Sequence, residues 1–220
     1  VSGAALAAGI SSDFTVVPNQ ADRLQALAPG ECTAPGTAGG RGACSPDPQN
    51  AAAYFAVQVR VTDVFWNMVS TIPAPVAMSV RATDPNAVLP SSQTVSQPSV
   101  NFVVKLTRAQ PARIFAYNSE AGTAHGTLKD SYDAGGGDPL YLPDTETRDI
   151  SISPGSADRI ILIHHNRGET LNQGATSYAL ARESTGAGIS TATAGSGFGV
   201  RVYVTDAYFN VSPGAAVNDT

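Results

Sequence analysis

The sequence predicts an all-β chain made of tandem antiparallel β-sandwiches, the last of them incomplete. Three observations predict it. The segment Val57-Gln58-Val59-Arg60-Val61-Thr62-Asp63-Val64-Phe65-Trp66-Asn67 returns as Val200-Arg201-Val202-Tyr203-Val204-Thr205-Asp206-Ala207-Tyr208-Phe209-Asn210, an offset of 143 from Val61 to Val204. A repeat of this length is a structural module before it is anything else. Short segments with apolar and polar residues alternating recur along the chain, and no window carries a convincing helical period. The 21 Gly and 15 Pro supply the turns that short strands need.

Taken in order, residues 1–10 have the apolar character of a signal-peptide core. Without an initiating Met or a basic flank they are read as part of a strand tail, and the chain as a mature form or a fragment. Residues 14–17 run into Pro18 as residues 150–153 run into Pro154, and proline ends pairing at both places. Ala21-Asp22-Arg23-Leu24 then matches Ala157-Asp158-Arg159-Ile160 at an offset of 136, and Gly30-Glu31 matches Gly168-Glu169 at 138. The drift to 143 places insertions in the loops of the second copy. Strands are expected at 23–27, 54–63, 76–82, 100–107, 112–117 and 148–153, with the second copy opening at 159–163. Turns fall at Asp84-Pro85-Asn86 and at 133–139, and 177–183 can form at most a short turn of helix. The polar, Gly-rich stretch 120–147 reads as an insertion. The expected organisation is therefore a trailing strand of a preceding unit, or a linker, at 1–17; a complete sandwich at 18–153; and an incomplete repeat at 154–220.

Composition narrows the function. Net charge is −5, and lysine occurs only at Lys105 and Lys129. A nucleic-acid surface needs clustered Lys and Arg, so none is expected. No apolar run is long enough to span a membrane as a helix. Cys32 and Cys44 close one Gly/Pro-rich loop, which points to a disulfide and an oxidising compartment.

Several residue groups invite chemistry. Asp63 and Asp206 recur with Asn67 and Asn210. Strand-end carboxylates can serve calcium, but Asp and Asn also bond their own backbone in turns, and the turn is the favoured reading here. Asp130, Asp133 and Asp138 stand among glycines and form the best calcium candidate, although their spacing fits no EF-hand. No other metal or cofactor is expected. Trp66, with Phe65, is a candidate stacking platform for a sugar, against the commoner role of core edge. His164 and His165 are adjacent and would point to opposite faces of a strand; His125 lies apart. Gly195-Ser196-Gly197-Phe198-Gly199 has its serine at the wrong spacing for a nucleophile elbow and precedes a strand. No catalytic set assembles, so no enzyme is expected. Asn210-Val211-Ser212 and Asn218-Asp219-Thr220 are formal glycosylation triplets.

The run Ala21-Asp22-Arg23-Leu24-Gln25-Ala26-Leu27-Ala28-Pro29-Gly30-Glu31, then Ala34-Pro35-Gly36-Thr37-Ala38-Gly39, resembles a bacterial tandem immunoglobulin-like repeat. So do residues 57–70 with their Val-Thr-Asp-x-x-Trp-Asn core, followed by 79–90 and 100–107. The likeness covers roughly residues 20–117 and recurs more weakly at 156–212. The two cysteines and the 120–147 insertion depart from the pattern. The resemblance implies tandem immunoglobulin-like sandwiches and a spacer, adhesive or fibre-forming role in a secreted or cell-surface protein, without catalytic residues. Expected partners are neighbouring repeats or other copies of the chain, with surface glycans as a further class. A half-built repeat at 154–220 has open edges, which a continuing chain or another chain could complete by strand addition. The alternative is a carbohydrate-binding or spacer module attached to a secreted hydrolase.

Overall fold

The computed structural model describes residues 12–72, 75–118, 145–164, 169–184, 194, 195, 197 and 199–213. It is built of strands: β1 (Arg23–Leu27), β2 (Gln49–Asn50), β3 (Tyr54–Thr62), β4 (Val76–Ala82), β5 (Gln93–Val95), β6 (Ser99–Lys105), β7 (Ile114–Asn118), β8 (Thr145–Glu146), β9 (Ile152–Ser153), β10 (Arg159–Ile163), β11 (Glu169–Leu171), β12 (Arg182–Ser184) and β13 (Arg201–Thr205). One short helix, α1 (Tyr178–Ala181), precedes β12.

Period-two patterning explains the central strands. Val57, Val59 and Val61 of β3 point one way and are buried; Gln58 and Arg60 point the other way. Strand β3 pairs antiparallel with β1 on one edge and β6 on the other. A second antiparallel sheet runs β5-β4-β7-β8. Leu24, Val59 and Phe102 from the first sheet and Met78, Val80 and Ile114 from the second belong to one apolar cluster. Ile150 and Ile152 close that cluster, and β9 adds a short parallel pairing with β2.

Strands β10 and β13 rebuild the β1–β3 pair. Leu24 faces Val61 in the first and Ile160 faces Val204 in the second, which preserves the register through the drifting offset. The packing differs. Leu24 and Ala26 are 0% exposed, whereas their counterparts Ile160 and Leu162 are 58% and 54% exposed. Beneath this pair lies a small cluster of Ile161, Ile163, Ala175, Ala181 and Phe209 on the opposite face. Among the described residues no strand pairs with the free edge of β13.

Strands 23–27, 76–82 and 159–163 stand where the sequence places them. The strand expected over 148–153 contracts to Ile152–Ser153, and that over 100–107 shifts to Ser99–Lys105. Residues 106–109 turn away because they bond to Asp84 and to the second copy instead. Residues 14–17, expected as a strand, have none; Phe14, Val16 and Val17 are exposed, with no sheet edge beside them among the described residues. Strands β2, β5 and β8 are two or three residues long, too short for any periodicity to announce. Most of the 120–147 insertion, with Asp130, Asp133 and Asp138, lies outside the described residues.

The Cys32–Cys44 disulfide forms, with Cα atoms 5.5 Å apart. Arg148 anchors this loop by donating to the carbonyls of Gly42, at 2.8 Å, and of Cys44. Closing so short a loop contributes about 3 kcal/mol in the chain-entropy model. A Cys32→Ser/Cys44→Ser chain is therefore expected to unfold at lower denaturant by about that amount. A loss under ~1 kcal/mol in a urea titration would show that Arg148 already orders the loop.

Candidate functional site

The repeated Asp–Asn turns each gather four or more hydrogen bonds on one carboxylate. In the first, the Asp63 carboxylate accepts from the N–H groups of Phe65 and Asn67, each at 2.9 Å, and from the Asn67 side-chain amide at 3.0 Å. A fourth bond reaches back across the chain, from Asn19 N–H at 2.9 Å. The second turn repeats the set. Asp206 accepts from Tyr208 N–H at 2.8 Å, Asn210 N–H at 3.0 Å, the Asn210 amide at 2.9 Å and Gly155 N–H at 2.8 Å. Asn19 and Gly155 are 136 positions apart, like the Asp-Arg pairs that follow them. Both carboxylates are buried. Burial alone would push the Asp63 carboxyl up, but the bonds from Asn19, Asn67 and Phe65 outweigh it and hold the group below the ordinary carboxylate range.

This geometry answers the choice between calcium and turn for these two residues. The carboxylate oxygens are engaged by N–H donors, as in an Asx-type turn. Each turn also places an aromatic residue at positive φ, Trp66 at 68° and Phe209 at 60°. Such a backbone is costly for a bulky residue and persists where the surroundings over-determine it. Trp66 is held by Arg23, whose guanidinium carbon lies 4.9 Å from the ring centroid, and by an Nε1–H bond to the Ala38 carbonyl at 3.3 Å. A Cβ on Gly40 would fall 2.2 Å from Trp66 Cγ, so only glycine leaves room for the indole. Phe209 has Arg159 at 5.0 Å and the edge of Tyr178 at 5.0 Å. Tyr178 comes from α1, which lengthens the span between paired backbone groups from six positions (34 to 40) to nine (172 to 181). Trp66 is half-buried against Arg23, Gly40 and the Ala38 carbonyl, while Phe65 beside it is 59% exposed.

Two buried glutamates repeat as well. Glu31 accepts from Ala28 N–H at 2.8 Å and Arg148 N–H at 3.2 Å, and pairs with Arg41. Glu169 accepts from His164 N–H at 2.9 Å and pairs with Arg182 at 2.7 Å. The Arg182 guanidinium, with help from His164 N–H, holds Glu169 below its ordinary value of 4.5. A group depressed in the folded state stabilises it fully above its unfolded pKa and loses that contribution as pH falls through the folded value. The thermal midpoint of the second copy is therefore expected to drop as pH is lowered from about 4.5. Glu169→Gln should flatten that dependence; an unchanged acid slope in calorimetry would count against it.

Among the described residues, the second turn does one thing the first does not: it docks. Asn210 is fully buried, its Nδ2 donating to Thr107 O at 2.8 Å and its Oδ1 accepting from Ala109 N–H at 2.9 Å. Thr107 Oγ1 donates to Gly174 O at 2.9 Å, and Lys105 Nζ reaches Tyr208 Oη at 3.2 Å. A Cβ on Gly174 would lie 2.9 Å from Arg108 Cβ. Asp84 shapes the receiving strip by accepting from Thr107 N–H at 2.6 Å and Arg108 N–H at 3.0 Å. Asn210 is thus an interface residue in the fold, with both side-chain polar atoms engaged; Asn218 lies outside the described residues.

Sequence reasoning found Asp63, Asn67, Asp206 and Asn210 by their repetition. It placed Asp84 in a turn but missed its bonds to residues 107 and 108, and it missed Gly174 and the Glu–Arg pairs, although Gly30-Glu31 and Gly168-Glu169 carried the signal. Of the three histidines, His164 is described, while His125 and His165 lie outside the described residues. No cluster of three or more metal-ligating side chains occurs among the described residues, and no helix there is long and apolar enough to cross a membrane. No protein-family model, curated protein or solved structure matches this chain.

Proposed function

We propose that this chain is a non-enzymatic structural module of an extracellular bacterial surface protein or fibre, built from tandem immunoglobulin-like sandwiches with units at 18–153 and 154–220. The docking of Asn210 and Gly174 onto residues 107–109 carries the reading. It joins two copies of one motif through a contact that is itself repeatable, as stacked-repeat proteins require. The shared apolar cluster of the two larger sheets supports the sandwich. The exposed Ile160 and Leu162 support completion of the second unit by further strands, since their counterparts are buried under a second sheet. The disulfide supports an oxidising location.

Electron microscopy and mass spectrometry of native material, with antibody labelling of intact cells, test this. Beads in series on labelled cell surfaces are expected. A compact protein confined to the cell interior would overturn the reading. Glycan-array binding abolished by Trp66→Ala would replace it with the carbohydrate-binding alternative.

A further inference from the structure

We propose that Gly36, Phe65 and Asn67 form a socket for the Thr107-Arg108-Ala109 strip of another repeat of this kind, so that one recurring contact clamps each repeat to the next. The inference rests on the tandem-module reading above. The socket is the counterpart of the surface that docks in the second copy. Gly36 N–H donates to Phe65 O at 2.7 Å as Gly174 N–H donates to Tyr208 O at 2.8 Å, and both glycines have positive φ, 80° and 84°. Gly174 and Asn210 are buried against the strip, whereas Gly36 is exposed and Asn67 half-buried. Among the described residues nothing lies within 4 Å of a Cβ built on Gly36, and no donor reaches Asn67 Oδ1.

The chain path says what should sit there. Residues 150–153 close the first module and lead through Pro154 to Gly155, which bonds to Asp206 beside the docked turn. Residues 14–17 lead in the same way through Pro18 to Asn19, which bonds to Asp63 beside the empty turn. Ile150 and Ile152 are buried in the core they complete, while Phe14 and Val16, at the same positions 136 residues earlier, are 82% and 78% exposed. They hold the sequence positions of the closing strand without forming one here, and a repeat of this kind standing beside them would turn its 107–109 strip to the socket. One component differs. Phe65 lacks the hydroxyl by which Tyr208 meets Lys105.

The test is a chain in which residues 18–153 precede a second 18–220, which keeps the Ser-Pro junction and the linker length. Amide exchange by segmentally labelled NMR reads the Ala109 N–H of the added copy. Protection there is expected to match that of the original Ala109. Asn67→Ala in the central module should reduce it at least ten-fold, because the counterpart Asn210 makes two hydrogen bonds to the strip, without altering the original Ala109. Phe65→Tyr should increase protection, a gain that misfolding cannot mimic. If the β6 amides of the added copy are protected but its Ala109 exchanges freely and neither variant changes that rate, the socket is overturned alone. If the β6 amides are also unprotected, the module reading fails with it.

Discussion

Asp63→Ala is expected to destabilise the fold by about 3–5 kcal/mol, because it orphans several donors at once. Charge-assisted hydrogen bonds contribute about 1.5–3 kcal/mol each, and their losses at one site do not add fully. The Asn19, Phe65 and Asn67 N–H groups would lose their acceptor together. The turn also holds Trp66 at positive φ, so that strain would lose its compensation. For a chain of this size the thermal midpoint should fall by roughly 10–15 °C. Asp63→Asn keeps one acceptor oxygen and should lose about half as much. Because the native carboxyl lies below the ordinary range, the stability it confers is present above its unfolded pKa and declines as pH falls through the folded value. Asp63→Asn should therefore lose less stability than the native chain between about pH 4 and pH 2. A denaturant titration showing under ~1 kcal/mol for Asp63→Ala would mean that the hairpin closes without its carboxylate.

Arg41→Met should cost a similar amount, about 3–5 kcal/mol, for a different reason. The Glu31 side chain is wholly buried, and Arg41 is the guanidinium that pairs with it. Removing one partner of a buried pair leaves an uncompensated charge. Arg41 also donates to the Ala26 carbonyl at 2.6 Å and to the Glu146 carbonyl, so it ties β1 to β8 across the chain. Adding Glu31→Gln to Arg41→Met removes the orphaned charge and should recover roughly half the loss. If the double variant is no more stable than Arg41→Met, the backbone bonds rather than the charge pair hold this corner.

The repeat, the central strands and the Asp–Asn turns are legible in the sequence. Those features are local: alternation of Val57, Val59 and Val61, and an aspartate four residues before an asparagine, are written in consecutive residues. The Asx turn needs nothing beyond its own backbone to be recognised. The short strands β2, β5 and β8 were not legible, since their pairing depends on what lies across the sheet. Tertiary structure alone decided which copy of the turn docks. Asn210 and Asn67 hold the same position in the repeated turn, each four residues after its aspartate, yet only Asn210 meets residues 107 and 109, more than a hundred positions away. It also decided that Leu24 is core and Ile160 surface, although both occupy the same place in the same strand. Burial is set by the sheet packed above, and no stretch of either strand encodes whether that sheet is there.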